Sequence, residues 1–215
     1  MKPFAVRDRQ TFVFIGDSIT DCGRRDSQAP FGNGYARMTI DLITARYPER
    51  RIRFLNEGIS GNTVADLRNR WHDDVLRHKP DWLSIKIGIN DLHRSWSPNA
   101  ADRIPPDRFA TVYREILTLT RAQTKANLIL IDPFYISTDA TAGSFRAQVL
   151  ELLPRYIAVV HRLAKEFDAR LVRTHDAFQT QLRRRAPDEL CPEPVHPFAA
   201  GHLVIAHELL RALGW

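Results

Sequence analysis

The stretch from Thr11 to Asp21, reading TFVFIGDSITD, decides the fold. Phe12 to Ile15 are four consecutive apolar, β-favouring residues, the pattern of a short strand buried on both faces of a parallel sheet. Gly16 breaks the run, and Asp17 and Ser18 fall where the chain must turn. Open α/β sheets bind ligands at the carboxyl edge of their strands, so the Ser18 hydroxyl is placed for chemistry. A serine at this point equally suits the cap of a following helix.

Working outward, the rest of the chain repeats the same alternation of short apolar runs and longer helical patterns. Strands are expected at Ile52 to Asn56, Trp82 to Ile87, Leu128 to Ile131 and Leu171 to Arg173. Helices are expected at Tyr35 to Arg46, Thr63 to Leu76, Asp107 to Ala122, Ala177 to Arg185 and Ala199 to Leu213. The cleanest apolar stripe runs from Val149 to Phe167, and Pro154 inside it is expected to kink or split that helix. Two irregular stretches, Asp21 to Gly34 and Leu92 to Pro106, read as loops over the carboxyl edge. Cys191 to Pro197 is too rich in proline to be regular helix. No repeat or linker interrupts the pattern, so residues 1–215 read as one domain.

Composition narrows the function classes. At 44% hydrophobic and 26% charged residues, the 215-residue chain is that of a globular protein with a large core. It has no apolar run long enough for a membrane-spanning helix, so no membrane partner is expected. The first residues, MKPFAVRDRQ, lack the apolar core of a secretory signal, and a cytoplasmic location is the expectation. Cys22 and Cys191 form neither a metal-binding spacing nor a disulfide framework. Five of the 31 basic residues are Lys, so 26 are Arg, and they give a net charge of +6. They are scattered rather than gathered in a stripe, which argues against nucleic acid as a partner and for solvated helix faces. Nothing in the sequence decides the oligomeric state, and a homo-oligomer stays open.

Four segments converge at the carboxyl edge: the loops after the first three strands and the stretch before the last helix. They supply Ser18, the glycines Gly58 and Gly61, Asn90 and His196. That inventory suits acyl transfer, which needs a nucleophile beside a base, with backbone and amide donors for the developing oxyanion. Cys22 has no base beside it in this pattern and is not read as the nucleophile.

These blocks carry a family resemblance. Gly16-Asp17-Ser18, ISGNT around Gly61, GIND around Asn90 and VHPFAAGH around His196 occur in the order of the SGNH hydrolases of the GDSL type, across nearly the whole chain. The resemblance implies a three-layer α/β/α sandwich around a five-stranded parallel sheet, flavodoxin-like in form. It also implies a serine esterase in which Ser18 attacks, His196 is the base, and the Ser18 and Gly61 N–H groups with the Asn90 amide form the oxyanion hole. No metal or cofactor is implied. The family usually places an aspartate three residues before the histidine, and here Glu193 takes that position, between Pro192 and Pro194. Glu193 is read as the orienting acid, with Asp188, Glu189 or no acid as alternatives.

The longer strings FIGDSITDCGRR, GISGNTVADLRNRW, DWLSIKIGIND and VHPFAAGH resemble a subgroup that includes intracellular acetyl esterases acting on xylo-oligosaccharides. The substrate expected from it is a small ester, with a sugar O-acetyl group as the leading form. A general short-chain carboxylesterase or arylesterase is the alternative, and a non-catalytic binding module on the same fold a more distant one. On the substrate side the residues singled out are Asp17, His93, Arg94 and Trp96. Among these, Asp17 also suits a turn-bonding role, and Trp96 is a sugar-stacking candidate. His202 reads as a structural residue at the start of the last helix, and Asp91 as a brace for the loop carrying Asn90.

Overall fold

A computed structural model describes residues 3–215. Its centre is a five-stranded sheet of β1 (Thr11–Gly16), β2 (Arg53–Gly58), β3 (Trp82–Lys86), β4 (Asn127–Ile131) and β5 (Arg170–Val172), in the order β2-β1-β3-β4-β5. All four strand pairings are parallel. The consecutive apolar run of β1 has its physical explanation here: Phe12, Val13, Phe14 and Ile15 alternate between the two faces, and all four are fully buried.

Among the described residues, eight α-helical segments connect and cover the strands: α1 (Ser18–Asp21), α2 (Tyr35–Arg46), α3 (Val64–Asp74), α4 (Ile89–Arg94), α5 (Pro106–Gln123), α6 (Phe145–Glu166), α7 (Thr174–Leu182) and α8 (Ala199–Ala212). Helices α2 and α8 pack on each other, with α7 against α8, while α3, α5 and α6 pack in series as a second layer. The fold is thus the three-layer α/β/α sandwich that the resemblance implied. Local chemistry sets several helix starts. Thr63 and Asp66 form a reciprocal capping box at α3, Pro106 opens α5, and the Ser144 hydroxyl accepts from the Ala147 N–H at α6.

Three expectations change in detail. Pro154 does not split its helix: α6 runs from Phe145 to Glu166 through it, with Val149, Leu153, Tyr156 and Val160 buried on one face to hold the segment together. The helix before the proline-rich stretch begins at Thr174 rather than Ala177. Leu92 to Arg94, assigned to a loop, belong to α4.

The register aligns the edge on which function depends. Gly16 lies opposite both Gly58 and Lys86, so β1, β2 and β3 end at one level. The chain runs from β1 outward to β2, then crosses back to β3 on the other side. That reversal opens the crevice between β1 and β3 where ligands bind in such sheets.

Candidate active site

Ser18 is the first residue of α1, and the cap of that short helix is Asp17, not Ser18. The Asp17 side chain accepts from the Ile19 N–H, which leaves the Ser18 hydroxyl free. Asp17 is fully buried, and its second carboxylate oxygen faces the Lys86 ammonium at 3.4 Å. Lys86 is itself buried and rests against the Phe134 ring. Burial pushes the Lys86 pKa down, against the pull of Asp17. Asp17 therefore does not line the substrate side: both its oxygens are turned inward, to the turn and to β3.

The loop after β2 is held against α1 by close approach. A Cβ on Gly58 would stand 2.3 Å from the Asp21 nitrogen, so only glycine lets the two segments meet. Asn56 staples the same place, donating to the carbonyls of Thr20 and Phe31 and accepting from the Gly58 N–H. Asp21 accepts from the Ser60 N–H and hydroxyl and pairs with Arg25. Burial alone would raise its pKa, but those bonds hold it below the usual value. Arg70, on α3, donates to the Gly16 and Glu57 carbonyls and to Oδ1 of Asn62. Asp21 and Arg70 escape sequence reasoning because their partners are distant in the chain, and a charged residue by itself looks like solvated surface.

Gly61 sits at φ +80°, and a Cβ there would meet nothing within 4 Å. Conformation, not crowding, calls for glycine. The N–H groups of Ser18 and Gly61 have no acceptor within the protein among the described residues. Asn90, in α4, donates one amide hydrogen to the Asn62 carbonyl at 3.0 Å, which fixes the amide and leaves its second hydrogen available. The adjacent Asp91 is buried, and its Oδ1 accepts from the Val64 N–H at the start of α3. Burial raises the Asp91 pKa to about 7.

His196 and Glu193 come from the segment before α8. The His196 Nε2 lies 2.7 Å from the Ser18 Oγ, and its Nδ1 lies 2.5 Å from Glu193 Oε1. That oxygen also accepts the His196 backbone N–H at 2.8 Å, while Oε2 accepts the Val195 N–H at 2.9 Å. Partial burial would raise the Glu193 pKa, but these donors outweigh it and hold it below the ordinary glutamate value. The Pro194 carbonyl accepts from the Ile136 N–H, tying the segment to the buried stretch after β4. Asp188 and Glu189 lie on a separate single turn, and Glu189 is engaged by Arg185 and the Ala186 N–H.

The other residues singled out from the sequence separate clearly. His202 accepts the Tyr35 N–H on Nδ1 and faces the Cys22 sulfur with Nε2; burial lowers its pKa to about 4. Burial lifts the Cys22 thiol to about 12, which leaves it protonated and a poor nucleophile. His93 is partly buried, and burial lowers its pKa. Arg94 is exposed, and so is Trp96. Among the described residues, no group of three or more His, Cys, Asp or Glu is arranged to hold a metal ion.

A hydroxyl, an imidazole and a carboxylate in hydrogen-bonded series, with backbone and amide donors at the same sheet edge, define a hydrolase of the serine acyl-transfer class. The family model of the GDSL-like Lipase/Acylhydrolase family matches residues 14–204, and the chain belongs to that family, as a carboxylic ester hydrolase. It is 38% identical over 213 residues to an acetylxylan esterase of Geobacillus stearothermophilus, covering 96% of this chain and 94% of the relative. The crystal structure of the acetylxylan esterase Axe2 from that organism superposes with a TM-score of 0.89 at 36% identity, covering 98% and 97% of the two chains. An alpha/beta hydrolase enzyme from the metagenome of Lake Arreo, Spain, matches with a TM-score of 0.88 at 33% identity, over 98% of each chain. Solved structures of Axe2 include catalytic mutants in which a serine, an aspartate or a histidine is replaced by alanine.

Proposed function

We propose that this chain is a serine esterase that removes short acyl groups, acetyl foremost, from sugar hydroxyls, with acetylated xylo-oligosaccharides as the substrate class. The observation that carries the chemistry is the series Ser18 Oγ, His196 Nε2, His196 Nδ1, Glu193 Oε1, each link within hydrogen-bonding distance. The sugar ester rests on the likeness to the acetylxylan esterase.

In this reading each residue of the series has a role. Glu193 accepts the Nδ1–H of His196, which leaves the Nε2 lone pair facing the Ser18 hydroxyl. Ser18 attacks the ester carbonyl as His196 takes its proton. The negative charge gathers on the carbonyl oxygen, where the Ser18 and Gly61 N–H groups and the free Asn90 hydrogen receive it. His196 then protonates the departing alcohol, and a water, deprotonated by the same imidazole, releases the acid from the acyl-serine. Glu193 takes the orienting place that aspartate usually fills.

Two measurements test this reading. A fluorophosphonate probe should label Ser18 and no other serine. A panel of acetylated xylo-oligosaccharides and p-nitrophenyl esters of rising chain length should show turnover concentrated on acetyl esters, with the sugar esters favoured in kcat/KM. Preference for longer acyl chains would reject the substrate assignment, and absence of labelling would reject the nucleophile.

A further inference from the structure

Two exposed aromatic side chains, one just after α4 and one at the start of α6, stand together. Phe145 is 52% exposed and Trp96 is 38% exposed, with ring centroids 5.3 Å apart. Phe145 also meets the His93 ring at 5.7 Å, and His93 stands edge-on to the buried Tyr135 at 6.1 Å. The four rings make a continuous aromatic run from solvent to the interior. Its surroundings adjoin the catalytic segment: Ile136, next to Tyr135, donates its N–H to the Pro194 carbonyl at 2.9 Å, and Arg146, next to Phe145, lines one cavity with Ile136 and Glu193.

The shelf is built rigidly. Phe145 opens the 22-residue α6, behind a Ser144 hydroxyl that caps the helix and donates to Asp139. Trp96 follows Ser95, whose hydroxyl is 2.7 Å from the Tyr156 hydroxyl on the same helix. Exposed aromatic surface held this firmly is a feature of contact sites rather than of ordinary solvated surface.

The chemistry says what lies over it. His196 Nε2 must deliver a proton to the oxygen of the departing alcohol, so that alcohol lies on the His196 side of the acyl carbon, away from the donors of Ser18, Gly61 and Asn90. The start of α6, which carries Phe145, flanks the segment carrying His196, since Arg146 shares a cavity with Glu193 and Pro194. We infer that Phe145 and Trp96 form an aromatic corner for a pyranose ring of the leaving alcohol, the apolar C–H face of the sugar resting on one ring and its edge against the other, which stands at 65° to the first. The inference rests on the sugar-ester reading above, and it adds Phe145 as a residue that determines specificity.

The test compares wild type, F145A, W96A and F145W on acetylated xylotriose and on ethyl acetate, which has no ring to stack. Binding of unacetylated xylotetraose to the same proteins is read by NMR saturation transfer. F145A and W96A should raise KM for the sugar ester about five- to tenfold more than for ethyl acetate, with kcat within about twofold, and F145W should restore it. Saturation transfer should weaken in both alanine variants. Equal KM for the sugar ester in wild type and both alanine variants overturns the aromatic corner while the sugar reading stands. An enzyme that hydrolyses ethyl acetate but neither binds nor deacetylates the oligosaccharides overturns both.

Discussion

One oxygen of Glu193, Oε1, accepts both N–H groups that His196 offers, the ring Nδ1–H at 2.5 Å and the backbone N–H at 2.8 Å. The second oxygen is occupied by the Val195 N–H. The carboxylate therefore folds back on its own loop, and the extra methylene of glutamate is taken up by that local wrap. With Pro192 and Pro194 restraining the backbone and the Pro194 carbonyl tied to Ile136, the loop has little room to follow a shorter side chain.

Glu193→Asp should accordingly lose activity, although it restores the residue usual at this position. Glu193→Gln should lose more, because its amide must set an N–H against either the Val195 N–H or the His196 donors. For buried acids of this role the cost reaches about 10⁴-fold in kcat, and the half-exposed setting here should reduce it to about 10²-fold. Steady-state kcat for both variants decides the matter. An Asp variant equal to wild type would show that the loop adapts, and a fully active Gln variant would remove the acid role.

Ser18→Ala and His196→Ala should each cut kcat by roughly 10³-fold or more, and the double variant should be little worse than either. Losses that multiply in the double variant would mean that the two residues, 2.7 Å apart, do not act as a unit.

For Asn90→Ala the expectation is a fall in kcat of about 10²-fold with KM nearly constant, since the amide serves a charge that appears only during reaction. The variant also frees the Asn62 carbonyl, so thermal stability should be recorded alongside. A rise in KM at constant kcat would make Asn90 a ground-state binding residue instead.

The buried pair Lys86 and Asp17 yields a stability cycle. Lys86→Met strands the Asp17 charge in the core and should cost about 3–5 kcal/mol, as breaking a buried pair does. Adding Asp17→Asn should recover much of that loss, since no charge then remains. Denaturant unfolding of the four proteins measures the coupling, and strictly additive effects would contradict it.

Asp91 should make stability fall as pH rises. Its pKa is about 7 in the folded chain, raised by burial from the model-peptide value of 3.8. The folded state thus binds the extra proton, and the associated stability is fully present below about pH 4 and is lost by the time pH passes 7. The full swing is about 4 kcal/mol at most. Asp91→Asn keeps an acceptor for the Val64 N–H and cannot ionise, so its melting temperature should gain on wild type steadily between pH 4.5 and 8. Parallel curves would show that Asp91 does not titrate in this range.

What the sequence determined by itself was everything set by local pattern. The apolar run of β1 must be buried on both faces, the glycine and asparagine of the following loops mark turns, and the spacing of Ser18, Gly61, Asn90 and His196 carries the family. Each of those signals is carried by a block of a few residues, where periodicity and turn chemistry act. Tertiary structure alone decided where polar tips end and what stays exposed. Asp17 reads the same in sequence whether it faces solvent or Lys86, and only the register of β1 against β3 buries the two together. Pro154 looks like a helix break until the packing of α6 outweighs the lost hydrogen bond. Asp21 and Arg70 become braces only because the sheet brings the ends of β1 and β2 to one level. Phe145 belongs to no motif, and it meets His93 and Trp96 because α6 passes beside α4. Contacts between residues far apart in the chain leave no local trace, since each partner's identity satisfies its own segment equally well with or without the other.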